Sequence, residues 1–264
     1  MKKLLIILFL GISFSQEKTF EELSSDIIQE HEKNIQSFED FRKEISDDVI
    51  QSWNEGGELF QSFYDNGNKK FETYYLLEYD KDHGTNRFYN EDGILSWEMT
   101  YMVGNRHGPD KNFHSNGQIS TLSYNFQNVP YGPKISYSKD GKIKESLGYY
   151  KKYSYERNGP SISYYSNGNI ESKIYFKEGK LHGSRRDYYE NGQLKFSTFY
   201  INQTDKTITE GPFVSYYENG QIQLEVSYFK DGKENGPFKY YDENGQIILE
   251  GNYENGKVID SKEY

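Results

Sequence analysis

A glycine preceded by Asn or Asp recurs eight times at nearly constant spacing, and few folds can accommodate that. The glycines are Gly67, Gly93, Gly117, Gly141, Gly168, Gly192, Gly220 and Gly245, at steps of 26, 24, 24, 27, 24, 28 and 25 residues. Four residues before each stands an aromatic: Phe63, Tyr89, Phe113, Tyr137, Tyr164, Tyr188, Tyr216 and Tyr241. Two residues after it stands Leu or Ile in seven of eight, with Lys69 the exception. Nine residues before it stands a second glycine in seven: Gly84, Gly108, Gly132, Gly159, Gly183, Gly211 and Gly236. Five of the six prolines directly follow one of those. Self-similarity at this period marks a repeat architecture.

The physics of one unit is legible. Asx-Gly between two β-prone runs signals a hairpin, because the turn needs positive φ and glycine supplies it at little steric cost. After Gly220, Ile222, Leu224, Val226 and Tyr228 alternate with Gln221, Gln223, Glu225 and Ser227. Period two is the mark of a strand with one buried face. A second loop follows, as in "KEGKLHG", and Gly-Pro then opens the next strand, where proline is tolerated. Each unit is therefore predicted to be one hairpin. The chain becomes a mainly β, extended antiparallel meander of about eight hairpins and roughly sixteen strands, preceded by a helical segment. One hairpin cannot bury its apolar face alone, whereas stacked hairpins join their Ile/Leu and Tyr/Phe rows into ladders. The longer steps fall in the second loop, around "KKYSYERNG" and "INQTDKTITEG", which places both insertions on one edge.

Units such as "GPFVSYYENGQIQLEVSYFKDGKENG" resemble the MORN-repeat variant of bacterial proteins of the YwqK type, over about Gly56 to Lys257. The resemblance implies an extended antiparallel sheet. Some such proteins are described as antitoxin components, and eukaryotic relatives of the repeat are associated with membrane and protein attachment. Those roles are what the resemblance implies, and nothing in the spacing carries them.

The first residues read differently. "MKKLLIILFLGISFSQ" sets Lys2 and Lys3 before an apolar run from Leu4 to Ile12, with small residues Ser13 and Ser15 placed for cleavage after Ser15. The run is about half the roughly 20 residues a spanning helix needs, so residues 1–15 read as a secretory signal peptide. The expected location is outside the cytoplasm: periplasm, cell surface or medium of a bacterium. In residues 16–55 the apolar positions Phe20, Leu23, Ile27, Ile35, Phe38, Ile45, Val49 and Trp53 fall on one helical face. Thr19 with Glu22 fits a capping box. Twelve Asp/Glu stand against four Lys/Arg there. The segment is expected to cap the first hairpin's open edge, with a partner-binding helix or a tether as alternatives. Residues 56–264 hold the eight repeats.

Little points to chemistry. The chain has no Cys, which excludes disulfides and thiolate sites. Its net charge of -10 argues against nucleic acid. His83, His107 and His182 all precede an opening glycine, but equivalent positions in neighbouring hairpins stand about 9–10 Å apart. That is too far to share a zinc ion, whose ligands lie about 2 Å from the metal. Tyr131, Asn158, Glu210 and Asn235 fill the same place elsewhere, which suggests no dedicated role for it. Acids such as Glu190, Glu218 and Glu243 share one turn position and read as solvated. Nucleophile elbow, zinc helix, phosphate loop and EF-hand patterns are all missing. The expectation is a protein that is not an enzyme and takes no metal or cofactor.

The residue three before each marker glycine is predicted to face away from the aromatic row. Tyr165, Tyr189 and Tyr217 would then form an exposed strip. Tyrosine suits interfaces because it adds contact area at small entropic cost. The leading functional expectation is a scaffold that binds another protein through its sheet. The alternatives are glycan or cell-wall binding on aromatic rows and attachment at a membrane surface. The repeats carry 25 Lys/Arg against 29 Asp/Glu, so they lack the positive field anionic lipid favours.

Overall fold

The computed structural model describes residues 29, 32–33, 36–149, 153–203 and 206–264. The signal peptide and the Thr19–Glu22 box lie outside them, as do Phe20, Leu23, Ile27 and Ile35.

Among the described residues, twenty strands form one antiparallel sheet in which successive long strands pair in chain order and three short ones pair only with the strand before them. Three of the twenty are two-residue stubs (Lys81–Asp82, Val129–Pro130 and Lys180–Leu181) that lead into strands opened by Gly84, Gly132 and Gly183. That leaves seventeen rungs. Eight hairpins account for sixteen. The seventeenth, Lys257–Glu263, follows the last repeat and pairs with Ile247–Glu254.

All eight marker glycines sit at turns with φ between +78° and +94°. In every turn the residue three before the glycine accepts a bond from the glycine N–H. Its own N–H donates to the carbonyl one residue after the glycine, at 2.8–2.9 Å. This is a three-residue loop closed by a glycine in the left-handed region. The register then shifts by one residue, so the aromatic before each turn pairs directly with the Ile/Leu after it. Tyr164 meets Ile170, Tyr188 meets Leu194 and Tyr216 meets Ile222. The two rows chosen separately from the sequence are thus seven aromatic–Ile/Leu cross-strand pairs, and in the first unit Phe63 meets Lys69.

The alternate turns lie on the opposite edge. Val103-Gly104, Glu178-Gly179, Asp231-Gly232 and Asn255-Gly256 all have positive φ at both positions, the two-residue geometry that matches strand twist. At one insertion the described residues on either side, up to 203 and from 206, lengthen the hairpin, with Phe199 opposite Glu210, Ile201 opposite Ile208 and Gln203 opposite Lys206. Its Thr and Ile residues favour strand over coil.

Two helices precede the sheet. Residues 36–44 form α1 and Asp47–Gly56 form α2, with Asp47 and Asp48 at the favourable positive end of the latter. They do not cover the open edge of the first hairpin, where a cap was expected. They lie across one face, over the openings of the second, third and fourth units. Phe38, Phe41 and Ile45 bury themselves with Tyr131, flanked by Trp53, Tyr124 and Phe126. The reason is that the first strand offers a lid only a narrow edge. The opening-glycine row offers flat backbone: a β-carbon on Gly132 would overlap the Phe38 ring, and one on Gly84 would overlap Asn54. Among the described residues both outer strands, Glu58–Phe63 and Lys257–Glu263, pair on one side only, so the sheet is open.

Candidate functional site

The three tyrosines singled out from sequence do fall in one line, but they are not a free strip. Each is half-buried, and each hydroxyl donates to the backbone of the next unit. Tyr165 bonds the Tyr188 carbonyl at 2.8 Å, Tyr189 that of Tyr216 at 2.8 Å, and Tyr217 that of Tyr241 at 2.7 Å. Tyr64 does the same to Tyr89, and His114 Nε2 stands 3.0 Å from the Tyr137 carbonyl. Burial raises the phenol pKa of Tyr189, helped by the Glu218 charge, so the donating form dominates.

A second row runs beside it. In five units the Asn before the marker glycine (Asn66, Asn116, Asn167, Asn191 and Asn219) uses both ends of its amide. Its oxygen accepts from the N–H just past its own turn, as Asn191 does from Gln193. Its NH2 donates to the next turn: Asn66 to Glu91, Asn116 to Lys139, Asn167 to Glu190, Asn191 to Glu218 and Asn219 to Glu243, at 2.8–3.0 Å. Sequence reasoning took Asn for a turn residue alone and missed this use. The signal was available: Tyr and Asn recur together, two residues apart, where a lone hairpin needs only Asx-Gly.

The ladder is uneven. In the second unit the two places hold Asn90 and Asp92, and in the fourth Ser138 and Asp140. A carboxylate cannot donate. Lys142 Nζ bridges the second gap by reaching the Ser166 carbonyl at 3.0 Å. From the fifth unit to the eighth both rungs are present at every joint.

The far edge has its own staples, and they overturn the reading that the residue before each opening glycine has no dedicated role. His83 Nδ1 accepts from the Val103 N–H, Asn158 from Glu178, Glu210 from Asp231 and Asn235 from Asn255. The four donors are the non-glycine residues at φ +48° to +52° in the two-residue turns. That conformation is costly for an L-residue, and a β-branched valine most of all. The side chain ahead of the glycine offsets that cost. Burial lowers the His83 pKa, which keeps the ring neutral and able to accept. At His107 and Tyr131 the lid uses the same position instead: the His107 ring lies 5.4 Å from Phe41 and 5.9 Å from Trp53, and Tyr131 donates to Ser37. Among the described residues no group of three or more His, Asp or Glu is placed to hold a metal.

On the lid's face, nearer the marker turns, charged side chains alternate across strands. Glu72 bonds Lys69 at 2.5 Å and Arg87 at 3.1 Å; Glu98 bonds Arg87 and Lys111 at 2.7 Å each. Burial works against the Glu72 charge, but hydrogen bonds from Lys69, Arg87, Tyr89 and Gln61 win and bring its pKa down to about 2. Burial and the same carboxylate push Tyr89 up to about 12. Every charge in the chain Lys69–Glu72–Arg87–Glu98–Lys111 is answered by its neighbour, which marks it as a structural row.

Compared with known proteins, the chain matches the family described as "MORN repeat variant" at residues 157–178, 181–202, 209–231 and 234–259. Four repeats between residues 157 and 259 thus match the MORN repeat variant. The matched stretch is the half in which the Tyr and Asn rungs are complete, and the earlier units keep the same turn geometry with a depleted ladder. No curated protein matches the chain. Among solved structures, it is similar to a porin-like protein from Bacteroides uniformis at 7% identity, covering 77% of this chain and 92% of that one, with a TM-score of 0.18. It is also similar to a chain in the TcdB2-TccC3-Cdc42 structure at 11% identity, covering 75% of this chain and 14% of that one, with a TM-score of 0.15. At such scores neither likeness carries an argument. The four matched repeats are stapled hairpins of the sheet.

Proposed function

We propose that this MORN-repeat protein is a non-enzymatic, exported scaffold that binds another protein across the lid-bearing face of its sheet. One observation carries the reading: the sheet already holds two helices on its opening-glycine row over the second to fourth units. Phe38 lies against Tyr124 there, at 5.2 Å between ring centroids. Half-buried Tyr175 holds the matching place in the fifth unit, beside Gly159, and Phe199, already buried, holds it in the sixth, beside Gly183. A row built to seat amphipathic helices continues past the two that occupy it. Export rests on the charged and apolar leader at residues 1–15.

The glycan alternative is weaker. The hydroxyls of Tyr165, Tyr189 and Tyr217 are committed to neighbouring carbonyls, and Lys195 lies over the Tyr189 ring at 5.6 Å. Replacing Tyr by Phe separates the two uses, because it keeps the ring and removes the staple.

The test is a photoactivatable residue at Tyr175 and, as control, at Ser172 on the opposite face. The expected result is one dominant crosslinked protein from the cell envelope at residue 175 and none at 172. Equal labelling from both faces, or none from either, contradicts the reading.

A further inference from the structure

The two ends of the sheet are not equivalent. The last strand, Lys257–Glu263, carries Lys257, Asp260, Lys262 and Glu263 along seven residues. Charged side chains on an edge discourage pairing with another sheet. The first strand, Glu58–Phe63, has a single charge in six residues, and Leu59, Phe60 and Phe63 are 48%, 44% and 56% exposed. It is the unguarded edge.

Its main chain is also open in a defined pattern. Inside the sheet, the Tyr89 and Glu91 carbonyls point to the preceding unit, where Tyr64 and Asn66 supply their donors. Phe63 and Asp65 are the same two positions in the first unit, which has no unit ahead of it. By the alternation of a strand, Leu59, Gln61 and Phe63 then turn both their N–H and C=O groups outward.

We propose that this edge pairs with the same edge of a second copy, antiparallel about a two-fold axis through Gln61. In that register Gln61 faces Gln61 of the second copy, and Leu59 faces Phe63 of the second copy. Phe60 falls opposite Ser62, and Glu58 opposite Tyr64, so no like charges meet. The outward groups of residues 59, 61 and 63 become three hydrogen-bonded pairs. A second copy is the occupant because the strand is complementary to itself. The chain's own eighth unit cannot dock head-to-tail through the ladder: Asp242 replaces the donor tyrosine there, and Asn244 turns back onto Asp242. This inference stands apart from the proposed binding face.

A six-residue edge is a small interface, so the dimer is weak, with a dissociation constant on the order of micromolar. Sedimentation of the full chain purified from the producing cell, from about 1 to 100 µM, should show a reversible monomer–dimer equilibrium. Phe63→Lys should weaken it at least about tenfold, a change of about 1.4 kcal/mol. Ile259→Lys, on the guarded edge, should leave it unchanged. The chain has no cysteine, so Gln61→Cys gives a single thiol on the axis, which a short dithiol-reactive linker should join between copies; Ser261→Cys should not be joined. A monomer across the whole range overturns the proposal, and so does a dimer that resists Phe63→Lys or is lost with Ile259→Lys.

Discussion

The two halves of one sheet are held by different means. From the fifth unit onward, each hairpin is stapled to the next by a tyrosine hydroxyl and an asparagine amide at every joint. In the first four units the second and fourth lack those donors, and the helices lie across the very units that border the gaps. His83, His107 and Tyr131, at the openings of the second, third and fourth units, all touch lid aromatics. A repeat array is stable when the interfaces between neighbours are favourable. Those interfaces are local hydrogen bonds in one half and a buried aromatic cluster spanning several units in the other.

The largest expected effect comes from the lid. Phe41 is 1% exposed and packs on His107, Phe126 and Tyr131. Phe41→Ala should cost about 3–5 kcal/mol, read by denaturant unfolding. The loss should appear as early melting of the N-terminal half, separate from the rest.

Acid should act on the same half. The Glu72 carboxyl has a folded-state pKa of about 2 against 4.5 unfolded. Its contribution is fully present above 4.5 and lost as pH falls toward 2, about 3 kcal/mol in all. Glu72→Gln should flatten that acid limb in a pH series of unfolding curves.

A smaller effect is expected in the C-terminal half. Asn191→Asp keeps the oxygen that closes its own turn and removes the donor to Glu218. The cost should be about 1 kcal/mol, with Tyr189→Phe similar. The converse change sharpens the comparison most finely. Asp92→Asn restores a missing donor in the N-terminal half and should stabilise by about 0.5 kcal/mol or less, since the exposed joint competes with water. Melting temperatures of the three variants check both signs.

How far these features were legible follows from their range. The marker turns were readable because positive φ is a local demand that glycine alone meets cheaply. The aromatic and Ile/Leu rows were readable because strand pairing repeats them. The staples were not, because Asn already has a sufficient local reason to stand before glycine, and its second bond exists only once a neighbour is placed beside it. The lid showed its apolar face through Phe38, Ile45 and Trp53. Periodicity names the face of a helix and not its dock, and the dock depended on Gly84 and Gly132 being flat. The last strand escaped because it has no marker glycine.

Residue-resolved hydrogen exchange of the wild-type chain beside Phe38→Ala tests the division most directly. Loss of that ring should raise exchange in the strands between residues 58 and 149 and leave those from 159 to 263 protected. Uniform loss across the whole sheet, or loss confined to the helices, would contradict it.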